Sequence, residues 1–299
     1  MLKTRVLVSA VLVPAFIGLC WLDAKTGRSA AILLPLALLL AFQACREIAG
    51  LLRLDRGSTA LTTAGSLLIL LVLWAWHAGV EPARLQNVAS HRLDALGPVL
   101  LAFACVVLGL LFARAITFRQ PGGHAAVLAA EVFAVSYVGV LLAMAAELRW
   151  TGGGRLGYLA LGSLVIGAKV GDIGGYSFGR LLGKRKLAPL LSPGKTIAGA
   201  VGAILTAAIV TALWLRFAGP LFDPAATIGT WPHLLAFGAA LGIVGLIGDL
   251  CESLLKRDAG EKDASHLMPA FGGLLDLIDS VLYSAPVALL LWTVWPPVG

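Results

Sequence analysis

Charge is scarce in this chain. Only 13% of its 299 residues are Asp, Glu, Lys or Arg, against about 25% in an ordinary soluble domain. With 59% of residues hydrophobic, that scarcity excludes a water-soluble globular protein. It also removes any soluble basic face, so no nucleic-acid partner is expected. Cysteine is scarce too. Cys20, Cys45, Cys105 and Cys251 stand singly in or beside apolar runs, without metal-ligand spacing or a disulfide pattern, and core packing is expected for each. No A-x-A-like cleavage site follows the first apolar run, where Leu19 before Cys20 is bulky, so a retained first span is expected rather than a cleaved signal. Internal repeats and low-complexity segments are absent as well.

What the chain has in abundance is long apolar runs. A helix needs about 20 such residues to cross ~30 Å of hydrocarbon. Runs of that order recur near 6–22, 30–45, 59–78, 96–113, 125–146, 157–179, 197–218, 233–254 and 277–295. The sequence therefore predicts an all-α fold, a polytopic integral membrane helical bundle of about nine transmembrane helices. The net charge of +7 reads as topology. Of the 23 Lys and Arg, fifteen fall in loops assigned inside, seven in loops assigned outside and one, Lys169, within a span. Positive loops stay in the cytoplasm, so the N-terminus is expected inside and the C-terminus outside.

Two regions differ in kind. Residues 1–150 read as Leu/Ala/Val-rich scaffold helices facing lipid, with Glu131 as an intramembrane exception that is either functional or a hydrogen-bonded structural carboxyl. Gly152-Gly153-Gly154 makes a plausible external seam. Residues 151–299 read as the catalytic region, because charge enters the spans themselves, which in hydrocarbon is costly and marks a polar cavity. Lys169 and Asp172 lie three apart and either neutralise one another or line a site. Gly167, Gly171, Gly174, Gly175 and Gly179 suggest close helix packing around that cavity.

A basic loop follows, from Gly179-Arg180 through Gly183-Lys184-Arg185-Lys186 to Ser192-Pro193-Gly194-Lys195-Thr196. Part of its charge serves topology and attraction to anionic lipid. Ser192 with Pro193 after it reads as a helix N-cap and first helical position, which would aim amide N–H groups at an anion beside Lys195 and Thr196. A P-loop is excluded, since Pro189 stands where that motif needs glycine and no soluble strand precedes it. The densest chemistry comes near the end. Asp249, Glu252, Ser253 and Lys256 fall at i, i+3, i+4 and i+7, one helix face. Arg257, Lys262 and Asp263 follow, then Gly272, Gly273, Asp276 and Asp279. Carboxylates beside Lys and Arg at the mouth of a membrane helix suit a metal-bound polyphosphate, with hard oxygen ligands for Mg²⁺ and cations for the phosphates.

The ordered set Ser253, Lys256, Arg257, Lys262, Asp263, Pro269, Gly272, Gly273, Asp276 and Asp279 resembles the C-terminal signature of the phosphatidate cytidylyltransferase (CDP-diacylglycerol synthase) family. Upstream, Asp172, Tyr176, Gly179, Arg180, Gly183, Lys186, Leu187, Pro189, Ser192, Pro193, Lys195 and Thr196 are similar to the family's preceding pattern. The likeness runs from about 165 to 282. It departs at Phe271, where the family pattern has His, and at Leu277, where it has Arg; neither side chain can transfer a proton or bind phosphate. His266, nearby, reads as a loop residue.

The resemblance implies conversion of CTP and phosphatidate to CDP-diacylglycerol and pyrophosphate, with Mg²⁺ and room for a second cation. Asp249, Asp276 and Asp279 would hold metal, with Lys256 and Arg257 beside them as catalytic cations. Asp172, Arg180, Lys186, Ser192, Lys195, Thr196, Ser253, Lys262, Asp263, Gly272 and Gly273 would bind the substrates' phosphates. The partners expected are CTP, phosphatidate and membrane lipid, with room for a homodimer. Two alternatives stand beside this. One is another CTP-dependent lipid enzyme, such as a polyprenol or phytol kinase or an ether-lipid cytidylyltransferase. The other is an anion transporter, which midplane charge and broken helices would suit.

Overall fold

The computed structural model describes residues 15–25, 27–79, 96–265 and 272–299. Among these, eight helices are long and apolar enough to cross a membrane. They are α1 (Leu33–Leu51), α2 (Arg56–His77), α3 (Leu96–Ile116), α4 (His124–Trp150), α5 (Leu156–Leu182), α6 (Ile197–Phe222), α7 (Trp231–Asp258) and α8 (Leu274–Val294). Each coincides with one of the apolar runs. The remaining expected span, 6–22, falls mostly outside the described residues, though 15–23 is helical. The fold is a polytopic helical membrane protein with one addition to the all-α expectation: strands β1 (Lys186–Ala188) and β2 (Ser192–Thr196) pair antiparallel between α5 and α6.

That hairpin corrects the reading of Ser192. The residue does not cap a helix, and Pro193 is not in one. Both lie in β2, and the helix starts at Ile197, with Thr196 as the N-cap whose hydroxyl accepts from Gly199 N at 3.1 Å. Pro193 has no N–H to give a ladder and so tolerates a strand of a two-stranded ribbon. Ile197 N closes the hairpin by donating to Arg185 O at 3.0 Å.

The chain divides into two compact units. One comprises Met1–Ala143 and Asp263–Leu277, the other Met144–Lys262 and Ile278–Gly299. The division thus falls inside α4 rather than at the Gly152–Gly154 turn, and a segment of the C-terminal half belongs with the first unit.

In the first unit, α2 is the central helix of a packed group with α1, α3 and the π-helical turn Val135–Val140 of α4. Asp55 caps α2, accepting from Ser58 N at 2.7 Å, and the Ser58 hydrogen bonds hold its carboxyl below the usual carboxylate range. Glu131 is fully buried and paired with Arg114, which also donates to Ser58. It is a structural carboxyl, since the guanidinium satisfies both its oxygens. Cys45 is buried as expected, whereas Cys105 is exposed on α3; α3 has the fewest buried residues of the eight helices, as a helix facing lipid would.

In the second unit α6 packs along both α5 and α7. Two indoles tie the bundle through buried polar groups: Trp292 Nε1 donates to Ser163 Oγ at 3.0 Å and Trp214 Nε1 to the Leu159 carbonyl at 3.3 Å.

Candidate active site

Small residues build the cavity before any charge enters it. On α5, Gly171, Gly175 and Gly179 recur at helical spacing and face α6. A Cβ on Gly199 would lie 2.7 Å from the Gly175 carbonyl, and one on Gly242 of α7 2.8 Å from Ala207 Cβ. Side chains at these places would push the helices apart, so glycine lets the backbones approach. What remains is a cavity of about 400 Å³ floored by Gly171, Gly175, Gly199, Gly242 and Gly245. Its polar lining is Asp172, Tyr176, Arg180, Lys195, Thr196 and Asp249.

Charges around this cavity are arranged in opposed pairs. Lys195 Nζ lies 2.8 Å from Asp249 Oδ2. Lys169 Nζ donates to Asp172 Oδ2 at 2.9 Å and lies 3.9 Å from Asp279 Oδ1. Ser280 Oγ donates to Asp172 Oδ2 at 3.2 Å, and Ser280 N to Asp279 Oδ1 at 2.5 Å. Lys256 Nζ donates to Glu252 Oε2 at 2.6 Å, both side chains being buried. Asp172 is therefore ion-paired, and it also lines the cavity.

Carboxylate oxygens of Asp249, Glu252 and Asp279 lie within 4.8 Å of one another. Three hard oxygen donors so close suit a Mg²⁺-sized cation. Glu252 is the member that sequence reasoning left out of the ligand set. Its signal was present, three residues after Asp249 on the face they share.

Several expected site residues have other occupations. Arg257 donates to the Leu191 carbonyl at 3.4 Å and to the Glu261 carbonyl at 3.0 Å, so it fastens the hairpin turn to the end of α7. Arg180 donates to the Tyr176 hydroxyl at 3.0 Å. Ser253 is buried, Lys186 and Lys262 are exposed, and Ser192 pairs with Ala188 in the hairpin.

In the first unit, Asp276 Oδ2 accepts from Gly273 N at 2.7 Å and Ala264 N at 2.9 Å. Gly272 has φ +83°, and a Cβ there would lie 2.7 Å from Asp276 Oδ2 and 3.0 Å from Asp263 Cβ; only glycine fits both the conformation and the space. Phe271, His266 and Pro269 lie outside the described residues. Glu47 of α1, not among the expected site residues, completes this region. It is buried and accepts from Gln43 Nε2 at 2.8 Å, Ser265 Oγ at 2.9 Å, Leu274 N at 3.0 Å and Leu275 N at 2.7 Å. A carboxylate at a helix N-terminus satisfies orphan N–H donors and suits the helix dipole.

A model of the cytidylyltransferase family matches residues 3–295. The chain belongs to the cytidylyltransferase family. This member is 36% identical over 168 residues to the phosphatidate cytidylyltransferase of Chlamydia pneumoniae, covering 53% of the chain and 52% of that relative. It is 33% identical over 184 residues to the phosphatidate cytidylyltransferase of Mycobacterium bovis, covering 59% and 54%. It is also 44% identical over 116 residues to the uncharacterized protein YnbB of Escherichia coli, covering 39% and 36%. The chain thus spans between about a third and a half of the length of these curated relatives. As a cytidylyltransferase family member with eight apolar helices among the described residues, it is a multi-pass membrane protein.

Proposed function

We propose that this protein is a membrane nucleotidyltransferase that converts CTP and phosphatidate to CDP-diacylglycerol and pyrophosphate, in the cell inner membrane with its site toward the cytoplasm. The observation that carries the reading is the cavity in the second unit, where Lys195 and Asp249 meet over a glycine floor and the Asp249 carboxylate clusters with those of Glu252 and Asp279. The likeness to named phosphatidate cytidylyltransferases supports the substrate pair.

The chemistry asks for positioning and electrostatics rather than a strong base. A lipid phosphate monoester is largely ionised near neutral pH. Its oxygen attacks the α-phosphorus of CTP, the P–O bond to the β-phosphate breaks, and pyrophosphate leaves with that electron pair. Four or more negative charges meet in this step, so cations and oriented donors carry most of the barrier reduction. Asp249, Glu252 and Asp279 would hold Mg²⁺, whose chemistry is to neutralise phosphate oxygens and fix the leaving group in line. Lys195, Lys169 and Lys256 each already face one of the clustered carboxylates. A lysine so held is a cation kept beside the site, available to phosphate once its carboxylate turns to metal. Thr196 and Arg180 line the same cavity and are read as phosphate donors, while Arg257 acts by holding the hairpin.

The sequence expects Asp276 among the metal ligands. Its hydrogen bonds to Gly273 N and Ala264 N support a part in holding that turn. No base is required of position 271, so phenylalanine there is compatible with turnover.

The test is incubation of the purified protein with α-labelled CTP, phosphatidate and Mg²⁺. The expected products are labelled CDP-diacylglycerol and unlabelled pyrophosphate. Release of labelled CDP with a newly phosphorylated lipid would identify a kinase instead, and uptake of an anion into vesicles without any product would identify a transporter.

A further inference from the structure

The hairpin at 186–196 carries a feature that the reaction does not use. At its turn, Leu190 is 97% exposed, next to exposed Pro189, and Leu181 at the end of α5 is 81% exposed. Large apolar side chains this open are costly in water. Lys184, Arg185 and Lys186, all exposed, lie along the same connection. An apolar tip with flanking cations is the pattern of a segment lying in the headgroup region of an anionic bilayer, where the tip is buried and the cations meet lipid phosphates.

The hairpin's attachment fits that placement. Its base is closed by Ile197 N on Arg185 O, and its turn is fastened to the end of α7 by Arg257 on the Leu191 carbonyl. It is thus held at both ends. The cavity lining includes Gly194, Lys195 and Thr196 of the same hairpin. Residues of β2 therefore line the cavity, while Pro189 and Leu190 at the turn are not part of that lining.

We propose that the 186–196 hairpin is a membrane-interface anchor: the Pro189-Leu190 tip enters the headgroup–acyl boundary of the bilayer, and Lys184, Arg185 and Lys186 gather anionic lipid around it. The occupant is lipid of the bilayer that holds the protein. For an enzyme whose substrate is an anionic lipid, this surface enriches that lipid beside the mouth of the cavity; only that consequence rests on the proposed function.

The experiment uses the full chain in vesicles and does not depend on turnover. Leu190→Cys is made in a background with Cys20, Cys45, Cys105 and Cys251 replaced by Ala, and labelled with an environment-sensitive fluorophore. The protein is reconstituted in phosphatidylcholine with or without phosphatidylglycerol. The expected result is blue-shifted emission quenched by nitroxide placed shallowly on the acyl chain, with stronger quenching when phosphatidylglycerol is present. Lys184→Ala with Arg185→Ala should remove that dependence on anionic lipid. Water-like emission, quenched by iodide equally in both vesicle types, would overturn the proposal. So would dry emission untouched by nitroxide lipid, which would mean that protein covers the tip. A label on exposed Lys262→Cys, expected to stay water-accessible, reports that the labelled protein is folded and correctly reconstituted. Where the chain is active, Leu190→Ser should raise the apparent KM for vesicle phosphatidate several-fold while the KM for CTP and kcat stay unchanged.

Discussion

Glu252 and Lys195 show how differently a charge reads in sequence and in space. Asp249 and Glu252 share a face by spacing alone, so their convergence was legible. Asp279 was grouped with Asp249 only through the family resemblance, because nothing in a linear pattern brings residue 279 to residue 249. The first prediction follows from the cluster. Asp249→Asn, Glu252→Gln and Asp279→Asn should each lower kcat at least about a hundredfold, roughly 2.7 kcal/mol of barrier, with unchanged elution on size exclusion. Activity of Glu252→Gln near wild type would remove Glu252 from the site. The second concerns Lys195, which faces Asp249 at 2.8 Å in the cavity, against Lys262, which is exposed. Lys195→Ala should cost at least tenfold more in kcat/KM for CTP than Lys262→Ala. Equal losses would mean that only bulk surface charge matters.

At the scale of elements, span positions were readable because a hydrophobic run of sufficient length has few other fates. Helix starts were less so. Ser-Pro is a good N-cap pair, but it is also admissible in an edge strand, and pairing with Lys186–Ala188 decided for the strand. Glu47 was illegible for a related reason, since its partners Ser265, Leu274 and Leu275 lie more than 200 positions away in sequence. A buried acid inside an apolar span is the signal that should have drawn notice. Its removal supplies the third prediction. Glu47→Ala leaves the first N–H groups of α8 without an acceptor, each at a cost of about 1–3 kcal/mol, so a clear fall in the detergent-solubilised melting temperature is expected. Glu47→Gln keeps one acceptor oxygen and should fall less. No change in either melt would show that water or a neighbouring group replaces the carboxylate.

For the whole molecule, hydropathy was enough to read the helical membrane architecture, and glycine enrichment pointed to the half that holds the cavity. Division into units was not visible in composition, because it depends on where the 263–277 segment docks. The last prediction concerns how the bundle keeps its cavity. Gly199 and Gly242 lie on different helices, yet each allows a backbone approach that a methyl group would block: Gly199 against the Gly175 carbonyl, Gly242 against Ala207 and the Ile204 backbone. A clash with backbone cannot be relieved by a rotamer change, so Gly199→Ala must move α5 from α6 or strain both, at about 1–3 kcal/mol. The polar lining rides on those same helices, Tyr176 and Arg180 on α5 and Asp249 on α7. Widening the α5–α6 contact therefore separates donors that must act on one triphosphate. Gly199→Ala should lower the melting temperature and raise the KM for CTP together, whereas Gly109→Ala on α3, where a Cβ meets nothing within 4 Å, should leave both unchanged. A Gly199→Ala protein that melts lower but keeps its KM would show that the cavity tolerates the shift, and that the glycines serve helix packing alone.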